Sequence, residues 1–259
     1  MFERIHPIRA RSGRSGNSLP GPRTVRERPE ELTAGRWRSR RCSDIRLAVA
    51  GAAATALVVW AADARLVDSA DRGVFRWINS RSDVLCRPLW VVQLAGVLGA
   101  PLIVAAAAVL AHRFRLAVGL VLLVPAKLGV EYGILKVLVH RERPGAAIAG
   151  AVLRDGPAAG TAFPSGHAIV LFGMATLLSP YLGRRWREVA FGGATVAVVA
   201  RVYLGAHTPL DVLAGAAAGV GVGAVLALLV GLRIGGRGGR GSSGSRSSVE
   251  FPWRPPPGH

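Results

Sequence analysis

The stretch 210–232 reads LDVLAGAAAGVGVGAVLALLVGL and decides the fold. Apart from one aspartate near its start, it is apolar throughout. A helix of about 20 apolar residues is long enough to cross the hydrocarbon core of a bilayer. The stretch therefore predicts a transmembrane helix. The whole chain of 259 residues agrees, because its mean hydropathy of +0.36 is too high for an ordinary soluble domain.

Five further apolar runs precede this one. They are Leu47–Ala62, Leu89–Ala111, Leu116–Val139, Phe163–Leu182 and Val189–Leu204. The first and the fifth are short, and we expect them to extend into their flanks. The sequence predicts an all-α fold, a six-span transmembrane helical bundle over residues 46–232. Disorder is excluded for this part of the chain, because it has ample apolar surface to bury.

The two ends of the chain differ from this apolar part. Residues 1–45 and 233–259 are rich in arginine, glycine, serine and proline, and we expect both to be disordered tails. A twin-arginine signal at Arg40-Arg41 is an alternative for the first end, which its long polar lead disfavours. Cys42 and Cys86 lie on opposite sides of the first apolar run and are not expected to pair.

The net charge of +18 usually indicates a nucleic acid or an anionic membrane as partner. Here the arginines lie at the ends and in short loops, as in a multi-span protein whose orientation they fix. We expect both tails, 113–115 and 184–187 on the cytoplasmic side, and loops 65–88 and 140–162 outside. Loop 65–88 carries five arginines, so arginines are not confined to the side expected to be cytoplasmic. The stretch 237–241 is better interpreted as a solvated tail than as an RNA-binding segment, so no nucleic-acid partner is expected.

Two cations fall near the end of the third apolar run. On a continuous helix over Leu116–Arg143, Lys136, His140 and Arg143 share one face. Arginine and lysine together suit a phosphate group, whereas anchoring at the membrane surface is the alternative for Lys136. His140 is interpreted as a bystander.

Lys127 lies nine residues before Lys136 and is therefore expected on the opposite helix face. Glu131, four residues after Lys127, is expected to form an ion pair with it inside the bundle, in preference to a substrate role for Lys127.

A second cluster, Phe163-Pro164-Ser165-Gly166-His167, comes directly before an apolar helix. Ser165 is a natural N-cap, Gly166 lets a ligand approach the backbone, and His167 lies in the first turn. The free N–H groups of a helix N-terminus bind anions. Taken alone, the pattern is better interpreted as a capping signal.

A third cluster runs from Arg201 to Asp211. His207 lies just before a helix that Thr208 and Pro209 are expected to start, and Asp211 is placed to reach back to it. A carboxylate on one imidazole nitrogen leaves the other free as a nucleophile or base. The alternative is an aspartate that only stabilises the helix N-terminus. By the expected topology the three clusters meet at one membrane depth and suit phosphoryl transfer, with no metal and no cofactor expected.

These residues resemble the three motifs of the type 2 phosphatidic acid phosphatase (PAP2) family, which includes the vanadium haloperoxidases. The motifs are Lys136 to Arg143-Pro144, Pro164-Ser165-Gly166-His167, and Arg201 with His207 and Asp211, all within a core at 89–232. The chain departs from the pattern at Ala200, where the family often has serine. That difference removes one hydroxyl donor to the phosphate.

The resemblance implies a role for each matched residue. His207 is the nucleophile that forms a phosphohistidine, Asp211 orients it, and His167 is first the general acid and then the base. The phosphate is held by Lys136, Arg143, Ser165, Gly166 and Arg201.

The function implied is that of an integral membrane lipid phosphatase, of the bacterial branch, with its active site on the extracytoplasmic side. A polyprenyl diphosphate such as undecaprenyl diphosphate is the favoured substrate, and phosphatidate is next. A lipid phosphotransferase, and a non-enzymatic protein that binds or moves anionic lipids, are the alternatives.

Overall fold

The structure, a computed structural model, describes the backbone of residues 29–231 and the side chains of residues 42–231. Over this range the chain is all-α, as predicted, and its only β feature is an isolated bridge between Glu142 and Thr161. The helices are α1 (Pro29–Asp63), α2 (Asp68–Asn79), α3 (Cys86–Gln93), α4 (Ala100–Leu110), α5 (Phe114–Leu128), α6 (Lys136–Leu138), α7 (Pro144–Ala147), α8 (Gly166–Leu178), α9 (Arg184–Tyr203) and α10 (Pro209–Leu229).

Three helical segments in this range are long and apolar enough to cross a bilayer: Cys42–Asp63, Phe114–Leu138 and Pro209–Leu229. A fourth is obtained if Asp83–Gly96 and Ala100–Leu110 form one span that is bent by 62° at the break between them. α8 is apolar but shorter, and the first turns of α9 carry several charges. The total of six spans stays a prediction.

The second apolar run is not one straight helix, contrary to the expectation for Leu89–Ala111. α3 ends in a short 3-10 turn at Gly96, Val97 is extended, and α4 begins at Ala100. Pro101 in the first turn of α4 has no N–H to donate to a continuous helix. The bend follows from the glycine and proline residues in this run, which hydropathy alone does not register.

The first helix begins earlier than expected. α1 starts at Pro29, whereas the sequence placed a disordered tail up to residue 45. Residues 1–28 and the predicted second tail, 233–259, lie outside the described residues. The fifth run does extend into its flank, since α9 begins at Arg184.

α10 is central, and its small residues explain how closely its neighbours approach. A Cβ atom on Gly219 would lie 2.6 Å from the carbonyl oxygen of Ile169, and one on Gly223 would lie 2.8 Å from that of Gly173. Gly215, Gly219 and Gly223 recur every four residues along the sixth apolar run, a spacing that predicts close helix packing. This glycine stripe packs directly on α8. On another side, α1 meets α10 where Gly51 approaches Gly221.

The ends of four helices meet at one end of this bundle. α6 and α9 finish there, and α8 and α10 begin there. Each of the three sequence motifs lies at one of these ends.

Candidate functional site

A cavity of about 220 Å³ lies where these four helix ends converge. Its wall includes six of the eight residues that the motifs single out, together with an ion pair that they do not. The lining residues are Gly96, Leu98, Lys127, Glu131, Tyr132, Lys136, Arg143, Gly166, His167, Val170, Arg201 and His207. The other two motif residues, Ser165 and Asp211, lie in the adjoining helix ends and are completely buried.

Lys127 and Lys136 line the same cavity, so the prediction that they lie on opposite helix faces was wrong. Nine residues make about two and a half turns of an α-helix. The segment Gly129–Leu135 is a π-helix, which winds less per residue because it bonds residue i to i+5. Both lysines contact Glu131, whose carboxylate lies 2.5 Å from Lys127 and 2.7 Å from Lys136. The expected Lys127–Glu131 pair is therefore present.

Arg143 reaches the cavity by a different route from the one expected. The helix ends at Leu138, and the chain is extended at Val139, so no continuous helix runs to Arg143. The Arg143 amide donates to the carbonyl of Gly160 (3.1 Å), and its guanidinium donates to the carbonyl of Ala206 (3.0 Å).

The same break removes His140 from the cavity. His140 is exposed and lines a separate polar cavity of about 390 Å³ with Asp63, Arg65 and Arg72.

The second motif forms the start of α8. Ser165 is the N-cap residue by position, but its hydroxyl makes no capping hydrogen bond and has no partner within the described protein. Its amide donates to the carbonyl of Asp211 (2.9 Å), which joins the ends of α8 and α10. His167 projects from the first turn into the cavity.

Gly166 is required by the packing around it. A Cβ atom there would lie 2.5 Å from the Glu131 carboxylate and 2.9 Å from the Lys127 ammonium. The backbone of this residue therefore approaches the lysine–glutamate group as closely as the chain permits.

Arg201 is buried at the end of α9 and held by two residues that the motifs do not include. Its guanidinium donates to Gln93 at 2.6 Å, and the Gln93 amide donates to Asp155 at 2.9 Å. Arg201 itself lies 3.8 Å from that carboxylate. Gln93 gives one signal in the sequence, since it is a polar residue within an apolar run. Asp155, in a polar loop, gives none.

His207 and Asp211 face each other across the start of α10. The distance from His207 Nδ1 to Asp211 Oδ2 is 3.8 Å, too long for a direct hydrogen bond. The same carboxylate oxygen accepts the Thr208 amide at 2.8 Å. Asp211 therefore caps the helix, as the second alternative from the sequence expects, and its carboxylate also lies near the histidine without a direct hydrogen bond to it.

Burial lowers the pKa of His207 below its ordinary value of 6.5. Asp211 acts in the opposite direction, while Arg201 and Arg143 lower the pKa of His207 further. The imidazole is therefore neutral at neutral pH, which is the form in which a ring nitrogen has a lone pair for attack.

Two further charged side chains lie next to Asp211, on the side away from the cavity lining. Arg141 is 2.7 Å from Asp71 on α2 and 4.0 Å from Asp211. Asp71 also accepts the amide of Leu210 at 2.8 Å. Asp71 lies outside the motifs, and Arg141 occupies a variable position of the first one. Their partners are too distant in sequence for spacing to reveal them.

This arrangement has the parts that phosphoryl transfer needs. Four cations surround a small cavity, a neutral imidazole faces it, and a second imidazole lies on the wall. Such a group stabilises the charge on phosphate oxygens and supplies a nucleophile and a proton carrier.

Comparison with known proteins agrees with this chemistry. The family model of the PAP2 superfamily matches residues 114–234. The structure is similar to the crystal structure of Aquifex aeolicus LpxE, with 25% sequence identity and a TM-score of 0.55, over 60% of this chain and 92% of that chain. None of the curated proteins matches the chain.

A second crystal structure is also similar, that of a transmembrane PAP2-type phosphatidylglycerolphosphate phosphatase from Bacillus subtilis. It has 18% identity and a TM-score of 0.57, over 70% of this chain and 94% of that chain. At this identity the likeness shows the fold alone.

Proposed function

We propose that the chain acts as a member of the PAP2 superfamily, whose model matches residues 114–234, the segment that holds all three motifs. It is a membrane lipid phosphatase that releases phosphate from a lipid phosphate or diphosphate through a phosphohistidine intermediate. The observation that carries the proposal is the buried His207, which lies beside Asp211 and faces a cavity lined by Lys136, Arg143 and Arg201.

In the first step a ring nitrogen of His207 attacks the phosphorus atom, and the bond from phosphorus to the leaving oxygen breaks. His167 takes up a proton when the anionic phosphate binds, because the negative charge stabilises the imidazolium, and it donates this proton to the leaving oxygen. The product leaves as a neutral hydroxyl or a protonated phosphate. Asp211 stabilises the positive charge that develops on the His207 ring.

In the second step His167, now neutral, removes a proton from water. The water oxygen attacks phosphorus, the phosphorus–nitrogen bond breaks, and inorganic phosphate is released. In both steps the cations and the Gly166 amide stabilise the equatorial oxygens, and the unpartnered Ser165 hydroxyl is available to donate to one of them.

For the substrate, we favour a polyprenyl diphosphate such as undecaprenyl diphosphate, with phosphatidate next. An apolar cavity of about 940 Å³ lies between α1, the π-helix and α10. Its size and apolar lining favour a substrate with a long apolar tail. The lining includes Ile134, Leu135 and Leu138, which flank Lys136 in sequence. A tail there remains within the bilayer while the head group reaches the cations.

The test is phosphate release by the purified full-length protein in detergent, with chelator present, from undecaprenyl diphosphate and phosphatidate side by side. We expect release from both, faster from the diphosphate, and none from His207→Ala. His140→Ala is the matched control, since that histidine lines a different cavity, and its activity should equal that of the wild type. Release that survives His207→Ala contradicts the mechanism, and faster release from phosphatidate contradicts the substrate preference.

The extracytoplasmic position of the site is a separate part of the proposal, supported by the distribution of arginines. The two cysteines test it, because Cys42 is placed inside and Cys86 outside. In intact cells a membrane-impermeant thiol reagent should label Cys42→Ala and leave Cys86→Ala unlabelled until lysis. Cys86 is half-buried, so labelling in detergent is the control for its reactivity, and Ser82→Cys offers an exposed position in the same loop. The reverse pattern contradicts the orientation.

A further inference from the structure

Two members of the lysine–glutamate group on the cavity wall, Lys127 and Glu131, have no assigned part in the mechanism proposed for this site. Glu131 is buried, and its two carboxylate oxygens each contact a different lysine, at 2.5 Å from Lys127 and 2.7 Å from Lys136. Both ammonium groups line the cavity that also holds His167 and His207. Ionisable residues within membrane helices pair with one another and often mark the path of a charged substrate, and this pair faces the cavity.

We propose that Lys127 is a further phosphate-binding residue and that Glu131 is a positioning residue that holds both lysines at the cavity. This proposal rests on the function proposed above, in that it takes the cavity as the phosphate site. In the free protein the Glu131 carboxylate occupies the place of an anion between the two ammonium groups. When phosphate enters, its oxygens compete with that carboxylate for the same donors.

The backbone is shaped to permit this arrangement. In a regular α-helix, residues nine apart face opposite directions, so Lys127 would point away from the cavity. The π-helix at Gly129–Leu135 returns Lys136 to the side of Lys127. Short π-helical segments of this kind occur frequently at functional sites. The Tyr132 ring, 4.0 Å from the Lys136 ammonium, further restricts that side chain.

The motif glycine also adjoins this group. Because any side chain at position 166 would overlap Glu131 and Lys127, the start of α8 lies directly beside these two residues. A phosphate at that helix end is therefore within reach of Lys127 as well as of Lys136.

The net charge of the side chains around the cavity matches the charge of a phosphate dianion. Four cations line it, and two carboxylates contact them, Glu131 at the lysines and Asp155 at Arg201. The excess of two positive charges matches a terminal phosphoryl group in its dianionic form. Without Glu131 the excess would be larger, and the phosphate product would be held more tightly.

The experiment measures binding of inorganic phosphate to the purified full-length protein by isothermal titration calorimetry, and so does not depend on turnover. We expect Lys127→Met to raise the Kd about tenfold, the loss of one charge-assisted hydrogen bond. Lys127→Arg should restore most of the affinity. Glu131→Gln should lower the Kd about threefold or more, because the competing carboxylate is gone.

A matched control is available on α9. Arg184 and Glu188 form an ion pair with the same four-residue spacing, and their side-chain atoms lie 3.0 Å apart. This pair is exposed and lies at the opposite end of α9 from Arg201. Glu188→Gln should leave the Kd unchanged. Size-exclusion chromatography and thermal melting identify any variant that fails to fold, and the Kd is compared among folded proteins only.

Steady-state kinetics gives a second readout. Lys127→Met should raise KM, whereas Glu131→Gln should lower both KM and kcat, because product leaves slowly and the lysines are less well placed. A merely structural role would lower the amount of folded protein and change neither constant of the folded fraction.

Each result decides the proposal. Kd values of Lys127→Met and Glu131→Gln that equal the wild-type value overturn it, as does a wild-type protein that binds no phosphate. If the Kd values follow the expected order while no lipid phosphate is hydrolysed, the roles of Lys127 and Glu131 stand and the proposed function falls. If lipid hydrolysis depends on His207 but the Kd values do not change, only the present inference falls.

Discussion

The carboxylate of Asp71 lies 2.7 Å from the guanidinium of Arg141, and this contact ties α2 to the loop that carries Arg143. The other oxygen of Asp71 accepts the Leu210 amide at the start of α10. Arg141 in turn lies 4.0 Å from Asp211. Through these contacts a helix outside all three motifs fixes the carboxylate that faces His207.

Asp71→Ala should therefore affect both stability and activity. It leaves the buried Leu210 amide unpaired, which costs about 1–3 kcal/mol, and it removes the nearest carboxylate from the half-buried Arg141 guanidinium. We expect a lower melting temperature in detergent and a reduced kcat with little change in KM, since the substrate contacts are intact. Asp68→Ala is the control, because that more exposed carboxylate lies farther from Arg141, at 3.6 Å. Equal losses in the two variants would contradict a specific role for Asp71.

Gly166→Ala should reduce lipid phosphatase activity strongly. The added methyl group overlaps Glu131 and Lys127, so either the two side chains or the start of α8 must move. A displacement of about 1 Å in a catalytic site costs about 100-fold in rate. Gly73→Ala is a suitable comparison, because a Cβ atom there meets nothing within 4 Å. Activity of Gly166→Ala within twofold of the wild type would show that the close approach is unimportant.

Gly219→Ala should destabilise the bundle without touching the cavity. Its Cβ atom would lie 2.6 Å from the Ile169 carbonyl oxygen, so α8 and α10 must separate, and overpacking of this kind costs about 1–3 kcal/mol. Gly192→Ala, on α9 with no atom within 4 Å, should be neutral or stabilising by about 0.5–1 kcal/mol. Thermal unfolding of the two variants in the same detergent measures the difference. A Gly219→Ala protein as stable as the wild type would refute the role given to the glycine stripe.

The lowered pKa of His207 makes stability depend on pH. In the unfolded chain this imidazole gains a proton near pH 6.5, while in the folded protein it stays neutral to lower pH. The unfolded state then binds more protons, so stability falls as pH decreases below 6.5. The melting temperature of the wild type should drop more between pH 7.5 and pH 5 than that of His207→Gln. Parallel melting curves for the two proteins would show that the pKa of His207 is close to its ordinary value.

Much of this arrangement was predictable from the sequence, because it depends on local patterns. Hydropathy located the long apolar helices, and the motifs pointed to a family whose model matches residues 114–234. The glycine spacing predicted close packing on α10, and the geometry confirmed it.

What the sequence missed depends on contacts between distant segments or on the exact winding of a helix. The roles of Asp155 and Asp71 depend on ion pairs with Arg201 and Arg141, which are distant in sequence. The π-helix was missed because a helical wheel assumes a constant rotation per residue. That assumption placed Lys127 on the helix face opposite Lys136, whereas both lysines line the same cavity.

The π-helix also determines which changes of length the chain tolerates. A π-helical turn holds one residue more than an α-helical turn, so deleting a single residue within Gly129–Leu135 should convert the segment to a regular α-helix. Every residue after the deletion would rotate relative to Lys127, and the two lysines would no longer share a carboxylate. An insertion or deletion in this short segment is therefore expected to be more harmful than most single substitutions in it, although it leaves every charged residue in place.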